Sequence, residues 1–149
     1  MTEEKTSGVT ITPYSEKDRD ELLPYMPHLT PQESAELSGE SLNGLFFRFF
    51  LVYAEEGLVG TVSLYQRAGY AVSAGPEIFP PFRRRGYASA ALTLAYAYAK
   101  ERGFRLATAQ IRTDNEASIL LHEKLGFLRN WEQLTNRKGH EVCIYSKIL

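Results

Sequence analysis

The stretch from Tyr70 to Ile111 constrains the fold most, because it reads as strand, helix, strand in one short span. "YAVSAGPEIF" reads as a strand. "RRGYASAALTLAYAYAKERGF" repeats Ala88, Leu92, Ala95 and Ala99 at helical spacing and stops at Gly103, and "RLATAQI" reads as a buried strand. Two strands joined through such a helix run parallel, and the crossover between them is right-handed. Pro76 lies inside the first of these strands and has no N–H for a ladder. That strand is therefore expected to bulge or to lose a neighbour near its end.

Upstream, "VTITPYS" alternates and stops at a proline, which predicts a strand near Val9 to Thr12, and Ser15 reads as an N-cap for a helix in "EKDRDELLPYM". Thr30, Pro31 and Glu33 make a capping box for a second helix. "LFFRFFLVYA" and "LVGTVSLYQ" flank the turn "EEG" as a β-hairpin. Downstream, "NEASILLHEKLG" is predicted as a helix capped around Asp114 or Asn115 and ended by Gly126. The strands "FLRNWEQLT" and "HEVCIYSKIL" follow, parted by "NRKG". The order β α α β β β α β α β β is that of a mixed α/β domain whose other strand neighbours are mostly antiparallel.

At 149 residues the chain has the size of one ordinary domain. Its 18 acidic and 17 basic side chains leave a net charge of −1, so no whole-protein field draws it to nucleic acid or an anionic membrane. A single cysteine, Cys143, allows no internal disulfide and no CxxC metal cluster, and it reads as a small apolar strand residue. The polar start "MTEEKTSG" and the lack of any run near the ~20 apolar residues of a membrane span lead to the expectation of a cytoplasmic protein.

Chemistry concentrates at the strand-to-helix junction. The first N–H groups of a helix have no partner within it, and the helix dipole adds a partial positive charge there. Gly86 and Ala88 keep the turn bare enough for an anion to approach, and a pyrophosphate fits it. Neither a P-loop nor a Rossmann glycine pattern is present. The arginines Arg83, Arg84 and Arg85 are an isolated cluster in a slightly acidic chain without a helix-turn-helix or zinc pattern, which argues against a nucleic-acid patch.

"IFPPFRRRGYASAAL", with Ile78, Pro80, Arg83, Gly86 and Ala88 in place, resembles motif A of the GNAT superfamily of acetyl-CoA-dependent N-acetyltransferases. "NEASILLHEKLGF" resembles that family's motif B, and the element order from Val9 to Leu149 is similar. The "GYA" turn resembles the branch that acetylates ribosomal-protein N-termini, and "LHEKLGF" the branch of phosphinothricin acetyltransferases. The resemblance implies one N-acetyltransferase domain over residues 1–149 in an acyl-CoA N-acyltransferase fold. Its sheet would be mixed and mostly antiparallel with a central, splayed parallel pair, and helices would cover both faces.

It also implies roles. The backbone amides of Arg84, Arg85, Gly86, Tyr87, Ala88 and Ser89 would hold the pyrophosphate of acetyl-CoA, the cosubstrate, with no metal. Ile78, Phe79 and Asn115 would face the pantetheine arm. Pro76 and Pro80 supply a local reason for the splay, since neither can donate to a partner strand. Where the family carries a tyrosine to protonate the leaving thiolate, this chain has His122, whose competing reading is a solvated polar residue on a helix face. His122 lies seven residues, almost two helical turns, from Asn115, so both are expected on one helix face. Histidine can serve as the acid, with a steeper dependence on pH than tyrosine.

An amine acceptor must lose a proton before or during attack, and Glu77, beside the cofactor strand, is the candidate base. Gln110 stands where some relatives place a glutamate. The expected reaction is direct attack by a primary amine in a ternary complex, with a backbone N–H of the strand containing Pro76 steadying the oxyanion and no protein nucleophile. The acceptor is a small-molecule amine, a peptide N-terminus or a lysine, and pairing with a second copy of the chain is left open. Glu33, Glu36 and Glu40, near Tyr25 and Phe46, hint at a cationic acceptor. The rival reading, prompted by the missing tyrosine and by Gln110, is a non-catalytic acetyl-CoA-binding sensor or accessory domain.

Overall fold

The computed structural model describes residues 4–6 and 8–149. Two strands, β1 (Glu4–Thr6) and β2 (Val9–Pro13), precede a 3-10 turn at Glu16–Asp18, the short helix α1 (Arg19–Leu22) and α2 (Pro31–Leu37). A two-residue β3 (Ser41–Leu42) leads into the meander β4 (Leu45–Ala54), β5 (Gly57–Ala68) and β6 (Ala71–Ile78). Then come a 3-10 turn at Pro80–Phe82, α3 (Tyr87–Glu101), β7 (Leu106–Arg112) and α4 (Glu116–Lys124). The chain ends with β8 (Leu128–Arg129), β9 (Leu134–Thr135) and β10 (Glu141–Ile148). The sheet runs β1-β2-β4-β5-β6-β7-β10-β8, with β3 on β4 and β9 on β10. Only β6 and β7 pair in parallel; the other described pairs are antiparallel.

Helices cover both faces. Ala91, Leu92, Ala95 and Ala99 of α3 pack on Val62, Leu64, Val72 and Ala107 of the sheet, and the small alanines bring helix and sheet close. On the other face Leu22 and Leu29 join Tyr14, Phe47, Phe49 and Leu51. The capping box of α2 forms as its residue types require. Thr30 Oγ1 accepts from the Glu33 N–H at 3.1 Å, and the Thr30 N–H donates to Glu33 Oε1 at 3.0 Å.

Three sequence expectations change. The helix expected over "EKDRDELLPYM" shrinks to a 3-10 turn and one turn of α1, because Pro24 has no N–H to continue the ladder. "FLRNWEQLT" splits into β8 and β9 where Asn130 Oδ1 accepts from the Glu132 N–H, a local turn that competes with the strand. β7 is not buried along its length. Ala107 and Ile111 are covered, whereas its opposite face opens into a hollow.

That hollow follows from the sheet. β6 pairs with β5 from Ala71 to Ile78, but with β7 only at Ala71–Leu106 and Val72–Ala107. Beyond Val72 the parallel strands part. No helix of the described residues is long and apolar enough to cross a membrane.

Candidate active site

The phosphate turn is built by backbone conformation. Arg84 has φ +67° and Gly86, the N-cap of α3, has φ +81°. A Cβ at Gly86 would meet nothing within 4 Å, so the glycine answers the left-handed dihedral and not a lack of space. The first helical bond runs from the Ala90 N–H to the Gly86 carbonyl at 3.2 Å. Among the described residues, the N–H groups from Arg84 to Ser89 find no acceptor, leaving a row of donors at the positive end of a 15-residue helix.

The arginine side chains are mostly spoken for. Arg83 turns back, donating Nε–H to the Ile78 carbonyl at 2.7 Å and Nη2–H to Glu77 Oε2 at 3.1 Å. Arg85 pairs with Glu56 in the β4–β5 turn, and Tyr87 Oη donates to the same carboxylate at 2.6 Å. The Tyr87 hydrogen bond, joined by Arg85, holds the Glu56 carboxyl below its ordinary range, and the same hydrogen bond to Glu56 pushes the Tyr87 phenol up. Arg84 alone of the three has no ion pair among the described residues. Anion binding here rests on the amides more than on the charge count.

The two edges of β6 differ by parity. In an antiparallel ladder alternate residues turn their N–H and C=O toward the partner. Phe79 donates to the Val59 carbonyl on β5 at 2.9 Å, so odd positions face β5 and even positions face the splay. The Ala74 N–H accordingly leaves the sheet and donates to Tyr96 Oη at 3.1 Å, and burial pushes the Tyr96 phenol up. Pro76 fills the next even position, its missing N–H pointing into the gap, and Ile78 follows. The expected lost neighbour is therefore found without a bulge at Pro76, because β5 never needed that donor.

A cavity of about 400 Å³ occupies the splay, walled by Ser73, Ala74 and Pro76 of β6, Gln110 of β7, and Ser118 and His122 of α4. Ser73 Oγ–H spans the mouth of the gap to the Thr108 carbonyl at 2.6 Å. His122 is 5% exposed, which overturns its reading as a solvated residue on a helix face. Its ring packs edge-on against Phe127 at 5.0 Å between centroids. Nδ1 lies 2.8 Å from the Ser118 carbonyl, which can only accept, so Nδ1 carries the proton. Nε2 is buried without a hydrogen-bond partner among the described residues, on a ring that lines the cavity.

The other expected residues fall in four places. Arg84 to Ser89 form the donor row just described. Ile78 lies on the splay edge of β6, but the Phe79 N–H is used by β5, so parity puts Ala74, Pro76 and Ile78 on the splay edge, where Tyr96 holds the Ala74 N–H and Arg83 the Ile78 carbonyl. Asn115 caps α4, its Oδ1 accepting from the Ser118 N–H at 3.1 Å, and does not line the cavity; the same-face neighbour of His122 is Ser118. Glu77 is exposed, paired with Arg83 and outside the cavity wall, because Arg83 folds back over the Pro80–Phe82 turn. The Ala74 N–H, a splay-facing strand donor where the oxyanion donor was expected, is taken by Tyr96.

Ser118 was legible as the residue one turn before His122; Ser73, Tyr65 and Tyr96 needed the register of the sheet. Among the described residues no group of three His, Cys, Asp or Glu side chains could hold a metal ion.

The acetyltransferase (GNAT) family model matches residues 14–127. Among solved structures, the chain is similar to the apo form of RimL, the ribosomal L7/L12 alpha-N-protein acetyltransferase. The TM-score is 0.79 at 17% identity, covering 96% of this chain and 94% of that one. It is also similar to a GNAT-family acetyltransferase from Bacillus anthracis, with TM-score 0.74 at 19% identity over 99% and 98% of the two chains. A third is the microcin C7 self immunity acetyltransferase MccE in complex with acetyl-CoA and AMP, with TM-score 0.77 at 15% identity over 97% and 94%. A search of curated proteins finds no match. The chain belongs to the acetyltransferase (GNAT) family and is an acetyl-CoA-dependent N-acetyltransferase.

Proposed function

We propose that this chain transfers the acetyl group to a primary amine by direct attack in a ternary complex, with His122 handling the proton. The observation that carries the reading is the buried, unpartnered Nε2 on a cavity wall at the splay. The free amides of Arg84 to Ser89 would take the pyrophosphate, and the splay edge of β6 would run beside the pantetheine arm.

The proton balance needs one group. As the amine nitrogen bonds to the acetyl carbon and the carbon–sulfur bond breaks, nitrogen must lose a proton and the thiolate must gain one. With Nδ1–H fixed on the Ser118 carbonyl, Nε2 is the atom that takes the first and delivers the second. Glu77 would have to leave Arg83 before acting as a base, and no carboxylate of the described residues lines the cavity. The likeness to RimL adds a protein N-terminus to the small amines as acceptors to be tried.

The test compares His122→Phe with His122→Tyr. Phe should lower kcat by about a hundredfold or more, the usual worth of a positioned acid or base, with acetyl-CoA affinity by calorimetry unchanged. Tyr, which keeps a proton donor, should retain more activity than Phe. Equal rates for the two variants would remove His122 from the mechanism.

A further inference from the structure

The walls around His122 carry a charge pattern that speaks to the acceptor. On the face of the sheet opposite α3, the cavity is lined by Arg67 at the end of β5 and Arg112 at the end of β7. Through Gln110, Asn136 and Val142 it continues into a second hollow of about 550 Å³, to which the β9–β10 turn adds Arg137 and Lys138. Although the chain has 18 acidic against 17 basic residues, no Asp or Glu of the described residues lines either hollow. None of Arg84 to Ser89 lines them either, so these cations are separate from the phosphate turn.

The four differ in how far they are already answered. Asp114 grips Arg112 in a two-pronged pair, Nε to Oδ1 at 3.0 Å and Nη2 to Oδ2 at 2.8 Å. Arg67 rests 5.9 Å from the centre of the Tyr65 ring, and Arg137 and Lys138 have no ion pair among the described residues. Glu33 and Glu36, which hinted at a cationic acceptor, line a different hollow of about 240 Å³ beneath α2, with Met26, Leu29 and Leu37.

We propose that the acceptor amine carries its own carboxylates, which the shelf of Arg67, Arg137 and Lys138 holds while the nitrogen reaches the splay beside His122. The proposal rests on the acetyl-transfer reading above. Electrostatics makes both halves work together. A positive wall disfavours an ammonium and so favours the neutral amine that can attack, while it would repel a cationic acceptor on approach. A carboxylate a few bonds from the nitrogen offsets that repulsion and fixes the orientation. An acidic peptide N-terminus and a free acidic amino acid share this chemistry.

The test uses the full chain saturated with coenzyme A and three labelled peptides beginning Ser-Asp-Glu, Ser-Asn-Gln and Ser-Lys-Arg, followed by fluorescence anisotropy. The acidic peptide should bind roughly tenfold more tightly than the neutral one, the combined worth of two partly exposed ion pairs. The gap should close as salt rises from ~50 mM to ~500 mM. The Arg137→Ala/Lys138→Ala double variant should remove most of the gap and leave the neutral peptide's affinity unchanged, and Arg67→Gln should narrow it independently. Competition by free glutamate would assign the carboxylates to a small molecule, and failure to compete would assign them to a polypeptide.

Equal binding of the three peptides, or preference for the basic one, overturns the proposal. Acetylation of the neutral or basic peptide in that case would leave the transfer reading standing. An intact acidic preference without acetylation of any peptide would instead sink the transfer reading and keep the binding one.

Discussion

β6 has one sequence and two unlike edges. Toward β5 the ladder runs from Ala71 to Ile78 with one register shift, between Gln66 and Ala68, and toward β7 it ends after Val72. A single proline is neutral toward β5, because parity points its missing N–H only at the splay, where pairing with β7 has already ended at Val72. The closed edge depends on Gly60, where a Cβ would sit 2.4 Å from the Glu77 carbonyl oxygen and 3.0 Å from Ile78 Cα. Both contacts are backbone and cannot move aside cheaply. Gly60→Val should therefore break the comparison most severely, costing about 3 kcal/mol of stability in urea unfolding. It should also weaken acetyl-CoA binding as the end of β6 leaves β5. Wild-type stability in this variant would show that the closed edge is not so tight.

The open edge is held at its root by a side chain. Ser73, 6% exposed, places Oγ 2.6 Å from the Thr108 carbonyl and 3.1 Å from Thr108 Oγ1, one residue past the last ladder pair. Ser73→Ala leaves that carbonyl without this donor and should cost about 1–2 kcal/mol, read as a lower urea midpoint with an unchanged slope. An unaltered midpoint would mean that the strands part without needing the tie.

The same contrast explains what was legible in the sequence. The crossover, the phosphate turn and the α2 cap rest on local chemistry, such as a left-handed Gly86 or a Thr30–Glu33 box, and such features are visible in a few consecutive residues. A lost neighbour near the end of β6 was expected from Pro76, and the parting begins earlier, after Val72. The splay-facing positions on β6 were not, because they depend on which residues face β5, a property of the paired sheet. Nor was the placing of Glu77, which is decided by Arg83 folding back across a turn. Asn115 illustrates the limit of helical spacing, since its side chain turns to the Ser118 N–H to cap α4 and does not line the cavity with His122. The cationic shelf joins the end of β5 and the β9–β10 turn, far apart in sequence, and no local pattern announces it.

The smallest expected effect concerns a tie between the closed side and the phosphate turn. Glu56, in the turn between β4 and β5, receives Tyr87 Oη and Arg85 from the start of α3. These partners favour its charged form, so the folded protein holds the carboxyl lower than the unfolded chain does. The sign follows from linkage. The contribution is present above the unfolded carboxyl range, near pH ~4.3, and is lost as pH falls through the lowered folded value. Glu56→Gln should therefore melt slightly below wild type by a constant margin from pH ~8 to ~5, and the two curves should converge in more acid solution. High salt should shrink the margin, since the groups are open to solvent. A margin that instead grew on acidification would mean that Tyr87 and Arg85 do not hold the charged form, and that α3 begins without this anchor.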